Sequence, residues 1–233
     1  MEAIILAGGF GTRLKGVIND LPKSMASVNG HPFMEYLLNY LIGQGIRRII
    51  LSVGYKRDEI QSYFKDHYKG MMITYATEEE PLGTGGGIKN AFKQVEGNQA
   101  FTLNGDSLFR IDFQAMLRTH SASTADLTLA LRYLEDTGRY GTVQVNNEKR
   151  ITGFMEKDPD SGSGYINGGV YLINKDFIEK EDFPQKFSME KDCFEKYYEK
   201  ARIFAYISKG YFLDIGIPED YQKAQDDFRE FED

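Results

Sequence analysis

Short apolar runs and segments of helical periodicity alternate along the first half of the chain. The apolar runs end at glycine or polar residues, which is typical of buried strands. They lie at 2–7, 47–53, 71–77 and 99–106. Segments whose apolar residues recur at helical spacing lie between them, at 32–45, 57–68 and 83–95. Strands and helices that alternate in this way predict a parallel, doubly wound α/β sheet.

The pattern changes after about residue 125. Strand-like runs then follow one another with few helices between them, which favours a mixed or antiparallel extension of the same sheet, forming the other wall of a cleft. The last segment, 218–232, predicts a helix that begins at Pro218 and has acidic residues in its first turn. The sequence contains no repeat, no low-complexity tract and no linker, so we predict a single α/β domain over 1–233.

Composition narrows the class of protein. Of the 233 residues, 41% are hydrophobic and 27% charged, as in a soluble globular protein. The net charge of −7 argues against a nucleic-acid partner, which usually requires a basic patch. Cys193 is the single cysteine, so an intramolecular disulfide and the usual zinc clusters are excluded and a reducing compartment is favoured. We expect a cytoplasmic protein, because residues 1–9 do not resemble a signal peptide and no apolar run is long enough to cross a membrane.

A glycine-rich loop follows the first strand. Gly8, Gly9 and Gly11 precede Thr12 and Arg13. The loop is not a dinucleotide-binding fingerprint, because the position of the third glycine is Leu, and it lacks the Gly-Lys-Ser/Thr ending of a P-loop. Consecutive backbone N–H groups beside one guanidinium suit a triphosphate. The alternative is a tight turn that happens to contain glycines.

Six further segments carry polar residues or glycines near strand ends. They are 21–25, 78–87, 103–106, 153–157, 165–169 and 212–221. Ligands of open α/β sheets bind at the carboxyl ends of strands, so we expect these segments to converge. Together with the glycine loop, the ordered set resembles the sugar nucleotidyltransferase family over nearly the whole chain. Within that family, 81–88 (PLGTGGGI) and 214–221 (DIGIPEDY) resemble guanylyltransferases that act on mannose-type or D-glycero-D-manno-heptose 1-phosphates.

The resemblance implies a fold, a reaction and its substrates. The fold would be a Rossmann-like, doubly wound mixed sheet, with a nucleotide-binding half over about 1–124 and a sugar-binding half and C-terminal helix over about 125–233. An oxygen of a sugar 1-phosphate, D-glycero-α-D-manno-heptose 1-phosphate, would attack the α-phosphorus of GTP, and pyrophosphate would leave. Mg²⁺ would be the cofactor. The protein would bind no membrane and could form a homo-oligomer.

By the same resemblance, charged residues would neutralise the reacting phosphates. The catalytic residues would be Arg13, which grips the leaving β- and γ-phosphates, Lys23, which holds the α-phosphate, and Asp106. Asp106 and Asp214 would bind Mg²⁺, a hard cation that prefers carboxylates. The nucleotide would contact Leu6, Ala7, Gly8, Gly9, Gly11, Thr12, Arg13, Lys23, Glu78, Gly83 and Thr84. The sugar phosphate would contact Gly141, Glu156, Lys157, Asn167 and Gly168.

Most of these residues also have a simpler explanation. Asp106 could cap a turn, and Lys23 could be solvated. Glu156 and Lys157 could form an ordinary exposed pair on a strand edge. Asp214 fits a ligand role better, because it lies between two apolar residues, where an unpaired charge is costly.

Glu78 is the residue that we predict reads the base. A guanine edge presents a ring N–H and an exocyclic amine side by side, and a carboxylate offers two acceptors to them. Gly83 would let the base approach the backbone. The alternative is that Glu78 belongs to a solvated acidic run, Glu78–Glu80.

Other functions share parts of this pattern. A mannose-1-phosphate guanylyltransferase and a uridylyl- or thymidylyltransferase for another sugar 1-phosphate would carry the same charged set. A regulatory protein that only binds nucleotide sugars would tend to lose it, and here Arg13, Lys23, Asp106 and Asp214 are all present. A dinucleotide-dependent dehydrogenase is disfavoured by the missing third glycine.

Overall fold

The structure is a computed structural model, and it describes residues 1–9 and 21–231. The predictions for Gly11, Thr12 and Arg13 therefore lie outside the described residues.

The strands are β1 Glu2–Leu6, β2 Ser27–Val28, β3 His31–Pro32, β4 Arg48–Val53, β5 His67–Tyr68, β6 Met71–Thr77, β7 Gln99–Asn104, β8 Ser107–Phe109, β9 Leu127–Leu134, β10 Thr142–Val145, β11 Ile151–Met155, β12 Gly164–Asn174, β13 Ile203–Ser208 and β14 Phe212–Asp214. The helices are α1 Phe33–Gly43, α2 Arg57–Phe64, α3 Gly83–Phe92, α4 Phe113–Ala122, α5 Lys175–Lys180, α6 Glu195–Tyr197 and α7 Pro218–Asp227. Short 3₁₀ turns lie at Lys23–Met25 and Phe228–Phe231, and a π-helical turn lies at Met189–Phe194.

Within the described ranges, one mixed sheet of ten strands runs through both halves of the chain. Its order is β11-β10-β12-β7-β1-β4-β6-β5, with β9 beside β12 and β13 beside β9. β1 lies parallel to β4 and β7, and β4 lies parallel to β6. β12 is antiparallel to β7 and to β9. The predicted doubly wound mixed α/β sheet is thus confirmed. The proposed division into a nucleotide-binding and a sugar-binding half stays a prediction.

The continuous apolar runs of the parallel strands are explained by burial on both faces of the sheet. Ile4 and Ile5 point to opposite faces, and neither is exposed. Ile5 belongs to the core cluster that contains Phe33 of α1, whereas Ile4 belongs to the cluster that contains Phe92 of α3. Helices therefore cover both faces and leave the strand ends open to ligands.

One predicted helix was wrong at its C-terminal end. The helix predicted over 57–68 stops at Phe64, and His67–Tyr68 instead pair with β6. Lys69 and Gly70 have φ values of 46° and 81° between the two strands. Positive φ at both central positions is the conformation of a tight two-residue hairpin turn, which Gly70 permits. None of the helices in the described part of the chain is long and apolar enough to cross a membrane.

β12 is interrupted at its middle. Its register with β9 shifts between Asn167 and Tyr171, and Gly169 there has a φ of 71°. The Gly169 N–H donates to Asn167 Oδ1 (2.9 Å), so a local turn replaces the strand ladder. The interruption lies on the side of the sheet where the predicted sugar residues converge.

Candidate functional site

The carboxyl ends of β1, β4, β6 and β7 surround a first cavity of about 580 Å³. Hydrogen bonds from Ala7 N to Ser52 O (2.8 Å) and from Gly105 N to Leu6 O (2.9 Å) hold the loops after β1 and β7 beside neighbouring strands. All residues predicted to contact nucleotide that the structure describes line this cavity. They are Leu6, Ala7, Gly8, Gly9, Lys23, Glu78, Gly83 and Thr84.

A second cavity of about 340 Å³ lies beside the first and is lined by β10, β11 and β12. It brings together all the residues predicted to contact the sugar phosphate, Gly141, Glu156, Lys157, Asn167 and Gly168. The Asn167 side chain is oriented by its own contacts, because Nδ2 donates to the Tyr171 hydroxyl (2.9 Å). Asn104, at the end of β7, lines both cavities and so marks where they meet.

Three charged residues lie at this junction. Lys23 and Asp106 line the first cavity, and Asp214 lines the second. Lys23 Nζ donates to Asp106 Oδ2 at 2.6 Å and to Asp214 Oδ1 at 3.2 Å. The structure therefore brings together the predicted catalytic lysine and both predicted metal ligands.

Strand pairing explains how two acids so far apart in sequence meet. Asp106 lies in the turn between β7 and β8, and Asp214 ends β14, which pairs antiparallel with β8. The Ile215 N–H donates to Asp106 O (3.0 Å), and the Gly216 N–H donates to Asp214 Oδ1 (2.8 Å). A Cβ on Gly216 would lie 3.1 Å from Lys23 Nζ, so the glycine leaves room for the ion pair.

The charges of Lys23, Asp106 and Asp214 favour the binding of a cation at the junction of the two cavities. Burial and the negative charge of Asp106 raise the pKa of Asp214, and the Lys23 ammonium opposes that shift. Lys23 is 15% exposed and each carboxylate 35%, so the three remain open to a ligand. No cluster of three or more His, Cys, Asp or Glu suited to a metal occurs within residues 1–9 and 21–231. Two carboxylates alone suit Mg²⁺, which usually completes its shell with water and substrate phosphate.

Glu78 lies at the carboxyl end of β6 with both carboxylate oxygens already engaged. Ser52 Oγ donates to Oε1 (2.8 Å), and the Leu82 N–H donates to Oε2 (3.0 Å). Glu78 is half-buried, whereas Glu79 and Glu80 are exposed. Glu78 is therefore held in place by the protein rather than being part of a solvated run. Each oxygen still has a free lone pair for a ligand N–H.

The glycines that open α3 are explained by packing against the segment 185–187. Gly83 has a φ of 74°, and a Cβ there would lie 2.6 Å from Phe187 O. The same carbonyl accepts hydrogen bonds from Gly85 N (3.0 Å) and Gly86 N (3.3 Å). The first N–H groups of α3 are thus capped by protein. Gly83 does line the first cavity, but its missing side chain makes room for Phe187 O.

Several residues that line the cavities escaped the sequence reasoning. Asn104 lies within the segment 103–106 and Ser107 directly follows it, so their position beside the predicted ligand Asp106 was an available signal. Other residues have no such signal, because they enter the cavities through long-range packing. They are Tyr55 and Arg57 in the first cavity and Tyr140, Glu190, Lys191, Phe194 and Glu195 in the second.

Known proteins resemble this chain over nearly its whole length. Residues 2–230 match the family described as Nucleotidyl transferase. The chain is 46% identical over 231 residues to D-glycero-alpha-D-manno-heptose 1-phosphate guanylyltransferase of Aneurinibacillus thermoaerophilus, covering 99% of this chain and 100% of that protein. It is 34% identical over 230 residues to mannose-1-phosphate guanylyltransferase of Mycobacterium tuberculosis, covering 97% of this chain and 64% of that protein.

A solved structure has the same fold. The crystal structure of HddC from Yersinia pseudotuberculosis complexed with GMP-PN superposes with a TM-score of 0.86 at 41% identity, covering 97% of this chain and 99% of that chain. These matches confirm the resemblance inferred from the sequence motifs. The chain therefore belongs to the nucleotidyl transferase family.

Proposed function

We propose that this protein transfers GMP from GTP to D-glycero-α-D-manno-heptose 1-phosphate, giving a GDP-sugar and pyrophosphate. The names of its relatives support the sugar, and the GMP-PN complex of the Yersinia protein, which holds a guanine nucleotide, supports the base. Mannose 1-phosphate is the second candidate substrate, supported by the more distant mycobacterial relative.

The observation that carries the proposal is the charged group at the junction of the two cavities. A transfer between two phosphates needs the nucleotide and the sugar phosphate to meet at one point. Lys23 and Asp106 reach that point from the first cavity, and Asp214 reaches it from the second. The α-phosphate of GTP and the phosphate of the sugar would meet there.

The attacking group explains why no nucleophilic side chain is needed. A sugar phosphate oxygen is already anionic near neutral pH, so the reaction requires no strong general base. His31, His67 and His120 all lie outside the linings of both cavities. Catalysis would then rest on positioning and on neutralising charge.

Lys23 would donate to the α-phosphate as negative charge moves from the attacking oxygen to the leaving pyrophosphate. Arg13, outside the described residues, is proposed to grip the β- and γ-phosphates. Asp106 and Asp214 would hold Mg²⁺, which, when bound, would neutralise the phosphate oxygens and orient them. In the second cavity Lys157 would attract the sugar's phosphate, and Glu156 would accept hydrogen bonds from its hydroxyls.

The test is a matrix of nucleoside triphosphates against sugar 1-phosphates with pyrophosphate release as the readout. GTP, UTP and dTTP would each be combined with the heptose, mannose and glucose 1-phosphates in the presence of Mg²⁺. We expect the highest kcat/KM for GTP with the heptose 1-phosphate. A clearly higher value with glucose 1-phosphate would overturn the proposed sugar, and a pyrimidine preference would overturn the proposed base.

The same assay tests the charged group. Lys23→Met, Asp106→Asn and Asp214→Asn should each lower kcat by roughly 100- to 1,000-fold, the size expected when one stabilising group is removed from a reaction centre. Asp160→Asn is the matched control, because this exposed acid lies outside both cavities. If either aspartate variant keeps the Mg²⁺-dependent activity of the control, the proposed metal ligands are wrong.

A further inference from the structure

The segment 188–197 forms part of the wall of the second cavity. It comprises Ser188, the π-helical turn Met189–Phe194 and α6. Glu190, Lys191 and Glu195 line the cavity, and none belongs to the motifs that carry the family resemblance. Six-residue π turns are rare and occur frequently at functional sites.

The segment is anchored to the protein on its other side. Met189, Cys193 and Phe194 are buried in the core. The Met189 N–H donates to Thr84 Oγ1 (2.9 Å), which ties the segment to the start of α3. The Ser188 N–H donates to Asp192 Oδ2 (2.9 Å), which closes the first turn. The backbone that carries Glu190 is therefore fixed relative to both cavities.

Glu190 has no partner of its own in the described part of the chain. Its carboxylate takes part in no hydrogen bond or ion pair there, although it is one of the cavity-lining groups. Partial desolvation by the surrounding protein raises its pKa, with smaller contributions from the negative charges of Glu195 and Asp106. The residue is nonetheless exposed at the cavity wall, so its carboxylate is open to accept hydrogen bonds from a ligand there.

We infer that Glu190 contacts the substrate and accepts hydrogen bonds from hydroxyls of the sugar 1-phosphate. This inference rests on the proposed function. A carboxylate accepts hydrogen bonds and donates none, so it suits a polyhydroxylated ring. It also repels phosphate, whereas Lys23 and Lys157 attract it. The opposed charges would turn the phosphate toward the junction and the ring toward Glu190, which orients the sugar for attack.

The test compares Glu190→Gln with the matched control Glu199→Gln, an exposed glutamate that lies outside both cavities. Loss of a hydrogen bond to a charged group should lower kcat/KM for the sugar 1-phosphate by about 10- to 100-fold. KM for GTP and the thermal unfolding midpoint should stay at wild-type values, because the first cavity and the buried anchors are untouched. Glu199→Gln should match the wild type throughout.

A series of deoxy sugar 1-phosphates identifies the contact. With the analogue that lacks the contacted hydroxyl, Glu190→Gln and the wild type should have equal kcat/KM. The inference is wrong if Glu190→Gln has the same kcat/KM as Glu199→Gln, or if its lower kcat/KM comes with a lowered unfolding midpoint. It is also wrong if Glu190→Gln and the wild type differ in kcat/KM by the same factor with every deoxy analogue. A wild-type protein that releases no pyrophosphate with any substrate pair would instead overturn the proposed function.

Discussion

Replacing Gly85 by Ala would create a steric clash between the new methyl group and the ring of Phe187. A Cβ at Gly85 would lie 2.2 Å from Cε2 and 2.3 Å from Cδ2 of that ring. The ring has little freedom to move, because it stacks on Phe183 with centroids 4.8 Å apart and an interplanar angle of 2°. Its backbone is also fixed, since Phe187 N donates to Leu82 O (3.0 Å) and Phe187 O accepts from Gly85 N (3.0 Å).

The geometry sets the size of the effect. Ordinary contact begins at 3.4 Å, so the ring would have to retreat by roughly 1.2 Å, and overpacking of this kind costs about 1–3 kcal/mol of unfolding free energy. The higher helix propensity of Ala offsets about 1 kcal/mol, which leaves a net loss of about 2 kcal/mol at the upper end. Phe187→Ala alone should lose about 3–5 kcal/mol by leaving a cavity.

The double variant, Gly85→Ala with Phe187→Ala, is the decisive case. With the ring removed, the methyl group introduced at position 85 occupies vacated space, and only the favourable helix propensity of the new residue remains. The double variant should then be about 1 kcal/mol more stable than Phe187→Ala alone, which corresponds to a coupling of about 1–3 kcal/mol between the two sites.

Urea unfolding monitored by circular dichroism would measure all four proteins, with m values checked for constancy. Gly43→Ala is the matched control, because a Cβ at this last residue of α1 would meet nothing within 4 Å. That variant should be more stable than the wild type by about 0.5–1 kcal/mol. Additive effects of Gly85→Ala and Phe187→Ala would refute the packing explanation of the glycine run.

Three further predictions concern single side chains. Glu78→Gln should lower kcat/KM for GTP relative to UTP and dTTP, because an amide offers guanine one acceptor instead of two; an unchanged preference would show that another group reads the base. Cys193 is fully buried and burial raises its pKa, so the native thiol should react with Ellman's reagent only as fast as the protein unfolds; rapid labelling of the native protein would contradict this. Burial lowers the pKa of His120, so the unfolded chain binds its proton more tightly and the unfolding free energy should fall as pH drops below about 6.5. His120→Gln should reduce that fall in urea melts between about pH 7.5 and about pH 5.5; an equal fall in both proteins would refute it.

The junction of the two cavities shows which features of the site can be predicted from sequence patterns and which cannot. The apolar runs before Asp106 and Asp214 identify strands, and the carboxyl ends of strands share an edge of the sheet. Convergence could be expected for Asp106, which follows β7 of the main sheet. It could not be expected for Asp214, because β14 pairs with β8 in a separate two-stranded sheet, across more than a hundred residues. The sharing of Lys23 by both acids depends on that pairing and could not be expected either.

Local sequence patterns do not predict the structure of the segment 188–197. A π turn follows neither the strand period nor the α-helical period, so its apolar residues have no recognisable spacing. Its position depends on the contact between Met189 and Thr84, which are 105 residues apart. The same limit applies to the glycines of α3, where the residue that explains them, Phe187, is equally remote.

The interruption of β12 has a consequence for hydrogen exchange. Between Asn167 and Tyr171 the ladder to β9 is broken, yet the strand on either side remains paired within the sheet. Amide protons in this short window should exchange with solvent faster than those of the surrounding strands, which open only with the core, although the hydrogen bond to Asn167 Oδ1 slows exchange at Gly169. Because the window lines the second cavity, its exchange rate would slow when a sugar 1-phosphate binds. The break in the strand thus provides a backbone reporter of sugar occupancy that requires no label and no turnover.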